Sequence, residues 1–301
     1  VNENSRNLSY VVPVGADGTA TMNWTPENAG KATVDATFSG RDGVTGSTTT
    51  QQLTITAATT TTPKPTTPGT PPAADAKMGG DRYQSTDAWR DGGWCSLGFN
   101  GTDGAGHAVN ITAGHCDTNP LAVGTPDATG AYEVVDNARG ERFGTFVKAV
   151  LGSLDHGLIK IDDNFAKRFE NNYVRVPGKA PVPITGVGSP LLGQPVCLSG
   201  QRTGYHCGEV NSLDASVSRL EEDSRGKFTV RICGLQGDSG SPVITGTMAL
   251  GIATQSNKKS QEDCDLFESL EDLSDYDRPT VEAVPIKSIL ADNPGLKVRT
   301  N

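Results

Sequence analysis

Gly237-Asp238-Ser239-Gly240-Ser241-Pro242 reads as a sharp turn that exposes a serine hydroxyl. Glycines at 237 and 240 let the backbone bend where a side chain would block it, and let it approach a bound carbonyl closely. Two upstream segments convert this turn into a constellation. Thr112-Ala113-Gly114-His115-Cys116 carries a histidine. Leu154-Asp155-His156-Gly157-Leu158-Ile159-Lys160-Ile161 carries an aspartate at the entry to an apolar run. A Gly-Asp-Ser-Gly tetrapeptide alone is a moderate signal, and the two companions make it strong.

The residue types fit one chemistry. A neutral serine hydroxyl is a poor nucleophile, so Ser239 needs a base within hydrogen-bond reach. His115 is the candidate base, able to take that proton and return it to a leaving amine. Asp155 would hold the imidazole in one tautomer and stabilise its cation. The amides of Gly237 and Ser239 can point at a developing oxyanion, where losing one donor typically costs about 10²–10³ in turnover. Each member has a plainer reading, since a serine among glycines is usually only a turn and Asp155 could be a solvated strand end. Three members with matching neighbours outweigh those readings.

The rest of the chain sets bounds. Its 301 residues suggest two domains. A hydrophobic share of 35% with 36 glycines suits β-structure rich in turns. A net charge of −9 argues against nucleic-acid or anionic-membrane partners. No apolar run is long enough to span a bilayer. No signal peptide is visible and the first residue is Val, so the chain reads as a mature form or part of a longer precursor. Cys95, Cys116, Cys197, Cys207, Cys233 and Cys264 contain no Cys-x-x-Cys pair, which gives no zinc signature. The even count fits three disulfides in an oxidising compartment. Many pairings are open, and nearest neighbours come first because their loops are shortest. No cofactor and no metal are expected. His107, His156 and His206 form no ligand pattern, and His156 reads as a structural neighbour of Asp155. The acidic stretch from Glu262 to Asp277 lacks the ordered spacing of a calcium loop and reads as a solvated surface insertion. Trp89 and Trp94 read as core or cleft-edge residues.

Composition divides the chain into 1–58, a β module; 59–76, a Thr/Pro-rich linker; and 77–301, the domain holding the constellation. The linker lacks core-forming residues, and its prolines favour an extended spacer. In the first segment, Tyr10 to Val14, Thr19 to Trp24, Ala32 to Phe38 and Leu53 to Thr56 alternate as strands. In the last, strand signals and Gly/Asn/Asp turns dominate. One helix is predicted over Pro285 to Ala291, with proline near its first turn.

Several motifs resemble the streptogrisin and α-lytic branch of the chymotrypsin family, secreted by actinobacteria. They are Met78-Gly79-Gly80-Asp81, Cys95 to Asn100, the histidine segment, Val196 to Gly200 with Thr203 to Gly208, and Ala249 to Ile252. The order His, Asp, Ser and the separation of Cys233 from Ser239 are also similar to that branch. The resemblance implies an all-β fold of two packed six-stranded antiparallel β-barrels with a C-terminal helix, and a cleft between the barrels. It implies catalytic roles for His115, Asp155 and Ser239, with Gly237 and Ser239 as oxyanion donors. It supports the pairs Cys95–Cys116, Cys197–Cys207 and Cys233–Cys264. It also implies substrate-binding walls at Gly234 and Leu235 beside Cys233, and at Thr254, Gln255 and Ser256. The first segment resembles a bacterial Ig-like β-sandwich, incomplete at its N-terminus, on the strength of Trp24-Thr25-Pro26, Ala29-Gly30, Phe38 and Gly40.

The expectation is therefore a secreted, monomeric serine endopeptidase acting on protein or peptide substrates, with cell-surface or matrix contact through the Ig-like segment. The alternatives are a silent adhesion protein or an esterase on the same scaffold. Three departures from the branch stand out. Ser241 replaces a glycine, a change expected to be tolerated. Leu198 replaces an arginine that would pair with the acid before the nucleophile, so Asp238 needs another donor, with Arg202 or ordered water as candidates. Gln255-Ser256 replaces two glycines on the pocket wall. With Gly234 leaving one wall open and no acid in either wall, the pocket is expected to take Leu, Met, Phe or Tyr. The rival is Lys or Arg selection by an inward Asp263 or Asp265.

Overall fold

A computed structural model describes residues 2–3, 6–7, 12, 14, 19–20, 30–41, 43–55, 72–86, 91–215, 226–268 and 277–301. The chain forms two compact units, 1–71 and 72–301.

In the first unit, β1 (Asn2–Glu3), β2 (Arg6–Asn7), β3 (Gly30–Phe38) and β4 (Ser47–Ile55) form one antiparallel sheet in the order β2-β1-β3-β4. β3 and β4 pair in unbroken register from Gly30↔Ile55 to Phe38↔Ser47. Only Ala32 on β3 is buried, and β4 is exposed along nearly its whole length. Its Thr-rich sequence favours the extended backbone without supplying an apolar face. The described residues thus hold a single sheet and no second layer of a sandwich. The strand candidates at 10–14 and 19–24 lie outside the described residues, apart from Val12, Val14, Thr19 and Ala20, which are not in strands. The proposed linker falls largely outside them too.

The second unit begins at Pro72, a few residues before the boundary read from composition. Ala76 is buried, and Lys77 donates its N–H to Arg168 O at 2.8 Å. The first sheet uses β5 (Arg82–Thr86), β6 (Asp91–Ser96), β7 (Phe99–Thr102), β8 (Ala108–Thr112), β9 (Gly130–Val135), β10 (Ala138–Val150) and β11 (His156–Ile161). Their order is β7-β8-β11-β10-β9-β5-β6. β6 and β7 stand at opposite ends of that order but are joined by Leu97-Gly98 alone, so the sheet must curl round. β9 and β10 turn through Asp136 and Asn137, with φ of 49° and 63°. A two-residue hairpin needs that left-handed backbone, and Asp and Asn tolerate it. Tyr83, Phe99, Ile111, Phe143, Phe146 and Ile159 fill the interior.

Helix α1 (Ala166–Phe169) leads to β12 (Tyr173–Val174), β13 (Val182–Pro183) and β14 (Gly186–Val187). The second sheet follows with β15 (Pro195–Gly200), β16 (Gly204–Ser212), β17 (Phe228–Val230), β18 (Pro242–Thr245), β19 (Met248–Ser256) and β20 (Val281–Pro285). The order runs β19-β18-β15-β16-β17-β20, and β20 pairs again with β19. Val196, Leu198, Val210, Phe228, Val230, Val243 and Leu250 pack within it. Leu198 is fully buried among them, which accounts for an apolar residue where an arginine was considered. Helix α2 (Gln261–Glu268) sits between β19 and β20, and α3 (Ile286–Asp292) follows β20. Pro285 is the N-cap of α3, so the helix begins at Ile286, one place after the expected start. The last strand, β21 (Lys297–Val298), adds to β7. This mostly β architecture is consistent with a two-barrel chymotrypsin-like fold and a short C-terminal helix.

The six cysteines pair as Cys95–Cys116, Cys197–Cys207 and Cys233–Cys264. The acidic stretch is not wholly a solvated insertion. Its first part is α2, with Cys264 fully buried and Ser260 as its cap. Ser260 Oγ accepts the Asp263 N–H and Asp263 Oδ2 accepts the Ser260 N–H, both at 3.1 Å, a reciprocal capping box. Trp89 and residues 269–276 lie outside the described residues. No helix among the described residues is long and apolar enough to cross a membrane.

Candidate active site

The histidine turn leaves β8 immediately after Thr112. Gly114 is obligatory there, because a Cβ would lie 1.9 Å from Val150 O and 2.9 Å from Asp155 Oδ1. This close approach lets Asp155 hold His115 twice. Asp155 Oδ1 accepts the backbone N–H of His115 at 2.9 Å, and Oδ2 accepts Nδ1–H at 2.6 Å. The remaining ring nitrogen, Nε2, is left as the acceptor for the Ser239 hydroxyl at 2.8 Å. Asp155 is buried while the imidazole is 40% exposed, so the ring is open to solvent and its anchor is not.

The nucleophile loop is clamped from both sheets. Ser239 O accepts the Ser96 N–H from β6 at 2.8 Å, and Ala253 O on β19 accepts the Gly240 N–H at 2.8 Å. Gly237 O accepts Ser96 Oγ–H at 3.0 Å, and Asp238 O accepts the Ser241 N–H at 3.0 Å. With the carbonyls of Gly237, Asp238 and Ser239 so engaged, the N–H groups of Gly237 and Ser239 donate to no acceptor among the described residues. Gly237 and Gly240 have φ of 109° and 87°, a backbone that glycine adopts without strain.

Asp238 has its donors in the main chain. Oδ1 accepts the N–H groups of Arg202 at 2.8 Å and Thr203 at 3.1 Å, and Oδ2 accepts that of Leu235 at 2.9 Å. Arg202 therefore serves Asp238 through its amide. Gly200 makes room, since a Cβ there would meet Asp238 Oδ1 at 2.1 Å. Ser241 is fully buried and its hydroxyl has no partner among the described residues.

A cavity of about 180 Å³ opens beside Ser239. It is lined by Gly234, Leu235, Thr254, Gln255 and Ser256, all expected, and also by Gln236, Ala253 and Val281, which the sequence reading missed. Val281 comes from β20, more than forty residues beyond Ser239 in the chain, and only its pairing with Ser256 brings it here. It corrects one expectation. A Cβ on Gly234 would lie 2.4 Å from Val281 Cγ2, so the wall behind Gly234 is filled rather than open. Among the described residues lining the cavity Asp238 is the only acid, and its carboxylate is taken up by three amides. Asp263 caps α2 and Asp265 accepts Gln261 Nε2–H at 2.8 Å, and neither lines the cavity. β18 leaves β19 at Ile252, and beyond it Gln255 and Ser256 pair with β20 on one edge only among the described residues.

The other histidines are engaged locally. His107 contacts Asp103 at 2.9 Å, and His206 contacts Thr203 O. His156 is completely buried, donating Nδ1–H to Leu154 O at 2.7 Å and accepting Asn293 Nδ2–H at Nε2 at 2.9 Å. Burial pushes its pKa below the ordinary histidine value, which keeps the ring neutral.

No family model matches the chain. Serine protease 2 of Streptomyces fradiae is 32% identical over 164 residues, which is 54% of this chain and 87% of that protein. Streptogrisin-C of Streptomyces griseus is 30% identical over 177 residues, 58% of this chain and 34% of that protein, so the alignment spans about a third of that relative. In fold, Thermobifida fusca Protease A matches with a TM-score of 0.55 and 24% identity, covering 75% of this chain and 100% of the other. The chain belongs to the family of chymotrypsin-like serine proteases related to the streptogrisins.

Proposed function

We propose that this chain is a secreted serine endopeptidase that hydrolyses peptide bonds through His115, Asp155 and Ser239. The observation that carries the reading is the Ser239 hydroxyl, 2.8 Å from His115 Nε2, with Nδ1 of the same ring 2.6 Å from Asp155. Ser239 Oγ attacks the scissile carbonyl carbon as its proton passes to Nε2. The oxygen that gains negative charge is received by the N–H groups of Gly237 and Ser239. His115 returns the proton to the leaving amine, and water then releases the acyl group by the same route in reverse. We read the two sheets as the two six-stranded barrels of the family and residues 77–301 as its catalytic domain.

The substrate segment before the cut adds to the open edge of Thr254 to Ser256 as an extended strand. Its last side chain enters the cavity. Val281 and Ser256 narrow that cavity, and the carboxylate of Asp238, the one acid among its described lining residues, is occupied. This favours uncharged guests at the medium end of the expected range, Leu or Met ahead of Phe or Tyr. The pair of strands β3 and β4 fits an Ig-like module acting as a spacer or surface contact.

Ser239→Ala should lose measurable hydrolysis of casein while keeping the far-ultraviolet circular dichroism and melting temperature of the wild type. His115→Ala should lose nearly as much, and the double variant little more, because the triad acts as a unit. Labelling by a fluorophosphonate should vanish with Ser239→Ala. Near-normal turnover in either variant would overturn the assignment.

A further inference from the structure

Asp155 stands in a bend. A short helical turn, Gly152–Leu154, ends at it, and β11 begins one residue later at His156. Its φ of −49° and ψ of 94° belong to neither element, and its N–H donates to Gly152 O at 3.2 Å. Among the described residues its carboxylate accepts hydrogen bonds from His115 alone. The direction in which that carboxylate points is therefore set through its backbone.

The His156 ring folds back across this bend. Its Nδ1–H donates to Leu154 O at 2.7 Å, so one side chain joins the residues on the two sides of Asp155. A carbonyl acceptor fixes the proton on Nδ1 and leaves Nε2 of the neutral ring as an acceptor. Asn293 Nδ2–H fills that site at 2.9 Å. The second proton of the same amide goes to Ile289 O at 2.7 Å, which fixes the orientation of the amide as well. Ile286 and Ile289 are fully buried, so α3 is a firm support for Asn293 at its C-terminal end. The charged groups facing the ring are Lys148 from β10, Asp292 from α3 and Asp155 from its own segment. Asp292 Oδ2 lies 3.6 Å from Nε2 but 2.6 Å from Lys148 Nζ, so that carboxylate is paired with the lysine.

We infer that His156 and Asn293 are positioning residues for the triad: they tie the C-terminal helix to the bend at Asp155 and set the angle at which its carboxylate meets the His115 ring. Neither residue lines the cavity beside Ser239, and their effect passes through Asp155. Protonation of the His156 ring would break the tie, because Nε2–H would then face the Asn293 NH₂. This inference rests on the peptidase reading and extends the triad to a helix more than a hundred residues beyond Asp155 in the chain.

The test uses Asn293→Ala, which removes the donor at one end, and His156→Phe, which keeps a ring of similar size without either hydrogen bond. Active enzyme in each preparation is counted by end-point labelling with a fluorophosphonate, so loss of folded protein is divided out. Per labelled molecule, kcat on one peptide should fall about tenfold or more with KM within about twofold, short of the roughly 10²-fold that a 1 Å misplacement can cost. The double variant should lose little more than His156→Phe, because the two residues act along one path. The acid limb of the kcat/KM profile should move to lower pH in both single variants, since a misdirected carboxylate stabilises the imidazolium less. A merely structural role would lower the melting temperature and leave kcat, KM and the acid limb at wild-type values per labelled molecule. That result would overturn the inference, as would additive losses in the double variant. Should His156→Phe fail to fold, the kcat and acid limb of Asn293→Ala decide alone. A wild type that neither labels nor cleaves peptides would sink the underlying reading and this one with it, whereas an active wild type with unchanged variants sinks this inference alone.

Discussion

The carboxylate of Asp238 accepts the main-chain N–H of Arg202 at 2.8 Å. Thr203 and Leu235 add two further amides, so a buried carboxylate next to Ser239 is satisfied without a cationic side chain. Charge-assisted bonds of this kind are stronger than neutral ones, and three of them hold the backbone from Leu235 to Ser239 in one conformation. The tip of the β15–β16 hairpin, closed by Cys197–Cys207, thereby acts as a clamp on the loop that carries Ser239.

Asp238→Asn places an amide NH₂ against at least one main-chain N–H and removes the charge. kcat for peptide hydrolysis should fall about 10²-fold or more, the scale of a displaced oxyanion donor. Arg202→Ala retains the main-chain N–H and should stay within about threefold of wild type. Steady-state kinetics on one peptide substrate checks both. A large loss in Arg202→Ala would assign the partnership to the guanidinium instead.

Ser241 buries a hydroxyl with no partner among the described residues. An unsatisfied buried polar atom costs about 1–3 kcal/mol. Ser241→Ala should therefore raise stability by about 1 kcal/mol. A urea titration reads this as an increase in midpoint at constant slope. An unchanged or lower midpoint would show that the hydroxyl is bonded in solution.

His156 is held neutral, because protonation would turn the Nε2 acceptor into a donor facing the Asn293 NH₂. Burial lowers its pKa first, and Lys148 lowers it further, against opposing contributions from the Leu154 carbonyl, Asp292 and Asp155. The unfolded chain thus binds a proton that the folded chain refuses. The stability from this site is complete above the ordinary histidine range, near about pH 6.5, and is lost as pH falls below it. The urea midpoint should drop between about pH 7 and pH 5, and His156→Gln should flatten part of that drop. An identical slope in the variant would remove His156 from the account.

Val281 fills the space behind Gly234. Val281→Gly should deepen the cavity and raise the ratio of cleavage after Phe to cleavage after Leu by about tenfold, the worth of a few methyl-sized groups in an apolar pocket. A mixed peptide library resolves the change. New cleavage after Lys or Arg would instead reveal an accessible acid at the base of the pocket.

The sequence by itself determined the parts whose chemistry is local. A nucleophile turn needs glycines within a few residues of its serine, and the histidine needs Gly114 beside it, so both sites appear as short contiguous strings. Strand signals broken by Gly, Asn and Asp turns likewise marked the second unit as rich in β-structure. The helix at Ile286–Asp292 was legible from its proline and apolar spacing. What the tertiary structure decided are relationships between segments far apart in the chain. Val281 reaches the pocket only because β20 pairs with β19. The amides of Arg202 and Thr203 reach Asp238 only because a hairpin tip folds back over the loop, and backbone N–H groups carry no sequence signature. Trp94 lies exposed beneath the Arg82 guanidinium because of the register of β6, and a shift of one residue would have sent it to the opposite face. Side-chain chemistry is written locally along the chain, whereas the direction in which a strand presents it is set by which strand it pairs with.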